Sequence, residues 1–241
     1  MKCAMKVGLL VLVVAAVANG GCSGVAVEGS GVPASEERPI GGITEVTLSG
    51  TGNLVIVPSD TPGLIITADE NLLDYIEAKV SGKTLSLRTK SGYSLRPKTP
   101  IKYTLLTKRL DKVGVSGSGD ATVDGWSGNT LTATVSGAGN MTLRNVVCNS
   151  LTVSLSGAGN MSASGTARIF KAKVSGAGDI DATGLETTDA DVQISGAGDI
   201  SLWTTGTLKA RVSGAGDVKY KGSPSVEKRV SGAGSITAIT E

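Results

Sequence analysis

Histidine is absent from all 241 residues, phenylalanine occurs once, and aromatic side chains make up only 3% of the chain. Without imidazole there is no Ser-His-Asp or Cys-His catalysis and no histidine zinc site. Cysteine is nearly as scarce. Cys3 lies in an apolar leader and Cys22 just after it, which leaves Cys148 alone in the body, so no internal disulfide framework is expected. Cys148 reads as a small structural residue rather than a nucleophile. No GxxxxGKS loop, CxxC pair or strand-following GxGxxG occurs, which removes the common nucleotide and redox motifs. Long hydrophobic runs are missing too. The longest, Val7–Val17, is too short to span a bilayer as a helix.

Glycine is abundant, at 34 residues, and its placement is periodic. VSGSGDA at 115–121, VSGAGNM at 135–141, LSGAGNM at 155–161, VSGAGDI at 174–180, ISGAGDI at 194–200, VSGAGDV at 212–218 and VSGAGSI at 230–236 are copies of one unit. A degenerate copy, LSGTGNL, stands at 48–54. From serine to serine the later copies are 20, 20, 19, 20, 18 and 18 residues apart. A fixed period near 20 signals stacked repeats. Before each SGAG the apolar residues alternate, as in Leu131, Ala133, Val135 or Leu208, Ala210, Val212, and a shorter alternation follows each unit. Period 2 means strands, and two glycines per repeat exclude helices. The expected fold is all-β, a right-handed parallel β-helix with about 18–20 residues per rung. Rungs about 4.8 Å apart build a column roughly 30 Å long.

The glycines are expected to serve φ > 0 turns, with the following Asn or Asp capping the turn. Stacking aligns Asp120, Asn140, Asn160, Asp179, Asp199, Asp217 and Ser235. Calcium is the functional alternative for that column, with Asp179, Asp199 and Asp217 as its candidates. Only one acidic turn per rung is present, so no dedicated metal site and no cofactor are expected. At the far end Lys228 takes an inward position and reads as part of a terminal cap.

Residues 1–21, with Lys2 and Lys6 ahead of the apolar run, read as an export signal. AVANGGC resembles a bacterial lipoprotein signal, which implies lipid attachment at Cys22 and, with Ser23 following, an outer-membrane lipoprotein of a Gram-negative envelope. Asn19 departs from the usual aliphatic residue there. Ordinary cleavage after Ala18-Asn19-Gly20 is the competing outcome. Residues 22–40, rich in small residues, read as a flexible tether, and 41–241 as the folded body, with its SGAGD/N repeats between 115 and 236.

A basic run lies between Lys83 and Lys112, with Asp111 its one acid. Lys83, Arg88, Arg96 and Lys98, together with Tyr93, are candidates for an anionic glycan or headgroup. Trp126 and Trp203 are candidates for sugar stacking. Nucleic acid is not an expected target for an exported chain of net charge +2.

The order NLLDYIEAKVSG, SLRP, VSGSGD and then repeated VSGAGN/D resembles the auto-transporter adhesin head domain, or GIN domain, family over about Gly42 to Glu241. The resemblance implies a parallel β-helix and an adhesin-like role, with no catalytic residues to carry over. The expectation is a non-enzymatic, envelope-anchored surface protein. Its partners would be the membrane through Cys22, a glycan or surface protein, and its own copies through the terminal rungs. The alternative is a carbohydrate-binding or polysaccharide-cleaving β-helix, for which Asp189, Asp191 and Arg211 join the repeated aspartates as candidates.

Overall fold

The computed structural model describes residues 24–239. The signal segment and Cys22 lie outside the described residues. Among the described residues nineteen strands run in chain order. The first nine are β1 (Val25–Glu28), β2 (Pro33–Arg38), β3 (Glu45–Ser49), β4 (Asn53–Pro58), β5 (Gly63–Asp69), β6 (Ile76–Ser81), β7 (Thr84–Thr89), β8 (Tyr93–Arg96) and β9 (Lys102–Thr107). The repeats follow as β10 (Lys112–Val115), β11 (Asp120–Asp124), β12 (Ser127–Val135), β13 (Met141–Leu155), β14 (Met161–Val174), β15 (Ile180–Ile194), β16 (Ile200–Val212), β17 (Val218–Lys221), β18 (Ser225–Val230) and β19 (Ile236–Ala238).

From β10 onward every pairing among the described residues is parallel, and the residues flanking each SGAG unit align in the register that the repeat predicts, with shifts only midway between units, as at Leu143/Val146 and Ala182/Glu186. Leu131 meets Leu151, then Phe170, Ala190, Leu208 and Val226. Met141 meets Met161, Ile180, Ile200, Val218 and Ile236. The result is a β-solenoid of about six turns. Its core is these apolar columns. The single phenylalanine, Phe170, is fully buried between Leu151 and Ala190. Lys228 opposes Ala210 in the last rung and is exposed there, as a terminal position requires.

The degenerate copy at 48–54 is a rung in its own right, out of chain order. β3 and β4 are sandwiched between β10 and β11 on one side and β7 and β9 on the other. Beyond that level the parallel stack stops. Antiparallel β5 and β6 cover it, with β2 added outside β5. The NLLDY stretch forms a 3₁₀ turn over Glu70–Tyr75 that buries Leu72.

The tether expectation is corrected over the described part. β1 pairs with β8 and β2 with β5, so the chain is paired through most of 25–38. Asp69 locks this arrangement. Its carboxylate is fully buried and accepts the N–H groups of Gly31 (3.0 Å), Lys98 (2.8 Å) and Thr99 (3.2 Å). Burial pushes the Asp69 carboxyl up, but the bonds from the Thr99 hydroxyl and these amides outweigh it. They hold the group below its ordinary value. Composition hid this knot because its partners are backbone groups far apart in sequence.

The role of the SGAG glycines is corrected as well. None of those from Gly137 to Gly234 has positive φ. What excludes a side chain is the rung below: a Cβ on Gly159 would collide with the carbonyl oxygen of Gly139, and one on Gly178 with that of Gly159. Backbone stacks directly on backbone at this edge.

Candidate interaction surface

Beside the glycine edge, the Asn/Asp column forms a ladder between rungs rather than a cap within each turn. Asn140 N–H donates to Asp120 Oδ1 (2.8 Å), Asn160 N–H to Asn140 Oδ1 (3.0 Å) and Asp179 N–H to Asn160 Oδ1 (3.1 Å). Asp199, Asp217 and Ser235 continue it at 2.8, 2.7 and 2.7 Å. Each side chain satisfies an amide of the rung above, so Asp179, Asp199 and Asp217 are in line and each already holds a structural bond. The backbone N–H and hydroxyl of Ser235 hold the Asp217 carboxyl below its ordinary value. Among the described residues no three His, Cys, Asp or Glu side chains gather as metal ligands.

The basic run of the sequence does not form one surface. Arg88 Nε donates to Glu77 (2.8 Å), Arg96 Nη1 to Glu28 (3.1 Å), and Lys108 Nζ to Asp60 (2.8 Å). These acids come from other stretches of chain and pair three of the run's cations, while Arg109 is held within the run by Asp111 (3.1 Å). Lys98 lends its amide to Asp69, and Lys83 sits in the exposed β6–β7 turn. Tyr93 packs against Tyr75 with ring centroids 4.7 Å apart and the planes tilted by 59°. Tyr103 is a core residue whose phenol is pushed up to about 12 by burial.

Neither tryptophan forms an open stacking platform. Trp126 is 4% exposed, and its indole Nε1 has no hydrogen-bond partner. It packs so closely over Gly128 that a Cβ there would overlap its ring. Trp203 is half-buried with Lys221 Nζ 5.1 Å above its ring. Burial pushes the Cys148 thiol up to about 11, so it is protonated near neutrality and a poor nucleophile.

What the stacking does assemble is the outward face of the sheet that precedes each SGAG. Two columns cross it. One reads Thr84, Glu45, Lys112, Thr132, Thr152, Lys171, Asp191, Lys209, Glu227; its neighbour reads Ser86, Thr47, Gly114, Thr134, Ser154, Lys173, Gln193, Arg211, Arg229. The lower half is neutral and rich in Thr and Ser. The upper half is basic. Arg211 Nη1 donates to Asp191 (2.9 Å) and Arg229 Nη2 to Glu227 (3.2 Å), while Lys171, Lys173 and Lys209 reach no carboxylate among the described residues. An open depression of about 270 Å³ on this face is lined by Thr152, Ser154, Lys171, Lys173, Asp191, Gln193 and Arg211. Sequence reading passed over this cluster because its cations are split among three repeats, as Lys171 with Lys173, Lys209 with Arg211, and Arg229. Aligning the repeats on their serines reveals it, since every member lies two or four residues before one.

The family described as "Putative auto-transporter adhesin, head GIN domain" matches residues 42–224. Crystal structures of similar fold include a "putative adhesin" from Bacteroides fragilis. It is 26% identical with a TM-score of 0.84, over 88% of this chain and all of that one. A "putative lipid binding protein" from Parabacteroides distasonis is 28% identical with a TM-score of 0.76, over 89% of this chain and all of that one. A "putative adhesin" from Parabacteroides merdae, at 22% identity and TM-score 0.70 over 90% of this chain and all of that one, shares the fold. No curated protein matches the chain.

Proposed function

Because the chain belongs to the auto-transporter adhesin head GIN-domain family, we propose that it is a non-enzymatic recognition solenoid held in the cell envelope by a lipid on Cys22. The observation that carries the reading is the two-column outward face. It repeats polar side chains at rung spacing on a stiff sheet, which suits many weak contacts along an extended partner better than chemistry in a pocket. Cleavage of polysaccharide is the poorer account. Asp191 is bound to Arg211, and Thr, Ser and Lys surround the pair.

Incubating the exported Cys22→Ser chain with a glycan array tests recognition, with released fragments assayed in parallel. Saturable binding without fragments is the expected result. Fragment release would replace the reading with the enzymatic one. Anchoring is tested separately by the mass of the mature N-terminus, which carries acyl chains on Cys22 if the proposal holds.

A second reading has one observation in its favour. An open depression of about 380 Å³ beside β2 and β5 is lined by Pro39, Pro62, Leu64, Ile65 and Leu106, with Glu37 and Arg38 at its side, and the Parabacteroides distasonis neighbour is named as lipid-binding. Capture of a fluorescent fatty acid, lost in Ile65→Glu, would favour it.

A further inference from the structure

We infer that the basic upper half of the outward face docks an extended polyanionic glycan, a polymer carrying carboxylate or sulfate groups at intervals. The inference rests on the recognition reading and names its ligand class. Between Lys171 and Arg229 this half presents five cations against two carboxylates, Asp191 and Glu227, a net of +3 on a molecule whose whole charge is +2. Each carboxylate is bound to an arginine, which leaves three lysines with no acidic partner among the described residues.

Geometry favours a linear polymer. Lys173, Arg211 and Arg229 stand in one column, the first two separated by two rungs, about 10 Å, and the last two by one, about 5 Å. Lys171 and Lys209 flank them in the neighbouring column, with Asp191 between. Thr152, Ser154 and Gln193 add neutral hydrogen-bonding groups beside the charges. These residues project from strands paired on both sides up to β16, so little backbone freedom is lost on binding.

The face lacks what a bilayer needs. Basic membrane surfaces combine charge with inserted aliphatic or aromatic side chains. The large hydrophobic residues exposed elsewhere include Val25, Val57, Val80 and Val147, whereas none stands in the two columns of this half; the exposed Val230 continues the inward column of Val212. It also lacks the aromatic row on which single-stranded nucleic acid stacks.

The test measures binding of the Cys22→Ser chain to immobilised heparin and to polygalacturonate. Dextran serves as the neutral glycan, and vesicles of phosphatidylcholine with 30% phosphatidylglycerol as the anionic membrane. Lys171→Glu/Lys173→Glu/Lys209→Glu is compared with a charge-matched control, Lys79→Glu/Lys90→Glu/Lys102→Glu, whose sites are exposed and lie outside the patch. Thermal melting confirms that both variants fold. The expected result is polyanion binding that weakens with salt, falls at least tenfold in the face variant and changes less than threefold in the control. Equal losses in both variants would overturn the site. Binding to dextran or another neutral glycan without binding to either polyanion would overturn the ligand class and leave recognition standing. Binding to vesicles alone would overturn it in favour of a membrane surface. No binding to any glycan would remove the recognition reading itself.

Discussion

In the repeats from Val115 onward, the identity of a residue is set by its copy one rung away. Between Gly24 and Thr107 it is set by single contacts between distant stretches. Gly159 is glycine because Gly139 lies beneath it, and Asp199 bonds the chain because Asp217 lies above it. Gly29, by contrast, is glycine because a Cβ would strike the Asp69 carboxylate, forty residues on. The repeat spreads its stabilisation evenly over many equivalent contacts. The irregular region concentrates it in one buried carboxylate and a few antiparallel pairings. Charge follows the same division. Distant acids pair Arg88, Arg96 and Lys108 of the N-terminal basic run, while stacking gathers scattered C-terminal cations onto one face.

Substitutions can break this contrast, and the largest effect belongs to the repeat core. Phe170→Ala leaves a cavity with Ala190 already above it, and urea denaturation should show a loss of about 4 kcal/mol. Gly159→Ala sets a methyl against backbone that cannot turn aside. A loss of about 3 kcal/mol is expected, with a lower urea midpoint. In the irregular region, Asp69→Asn should lower the melting temperature, and more at neutral than at acid pH. Asp69 has a folded pKa below its unfolded value, so its contribution is present above about pH 4 and is lost as pH falls through the lower folded value. Melting curves between pH 2 and 7 should therefore be flatter in the variant than in the native chain. The smallest effect sharpens the contrast from the other side. Gly41 has nothing within 4 Å of a built Cβ and no positive φ, so Gly41→Ala should change stability by less than about 0.5 kcal/mol.

The fold of the second half was legible because one period determines its strands, its register and its buried columns at once. Even there the sequence could not say why Gly139 is glycine, since a turn and a close approach leave the same letter. The first half was only partly legible. β3 and β4 read as a degenerate repeat, but nothing local says that their neighbours begin at residues 84 and 112. Nor does composition distinguish a small-residue tether from strands recruited by Asp69 and β5. The candidate surface was misplaced for a related reason. Clustering along the chain marked Lys83–Lys112, whereas clustering in space requires the stack.

Pairing at β1 also fixes a length. Gly24 already lies against Gly92, close enough that a Cβ would be 3.0 Å from its carbonyl oxygen. Only Ser23 separates it from Cys22, so a lipid there would have a leash of about 7 Å at full extension. The body would be moored at its capped end, not suspended on a tether. Lys171 lies five register steps from Thr84 at that end, through Glu45, Lys112, Thr132 and Thr152. At about 4.8 Å per step that is about 24 Å of column. The height at which the basic face meets its surroundings is thus counted out in rungs, and a repeat gained or lost between them would raise or lower it by one step.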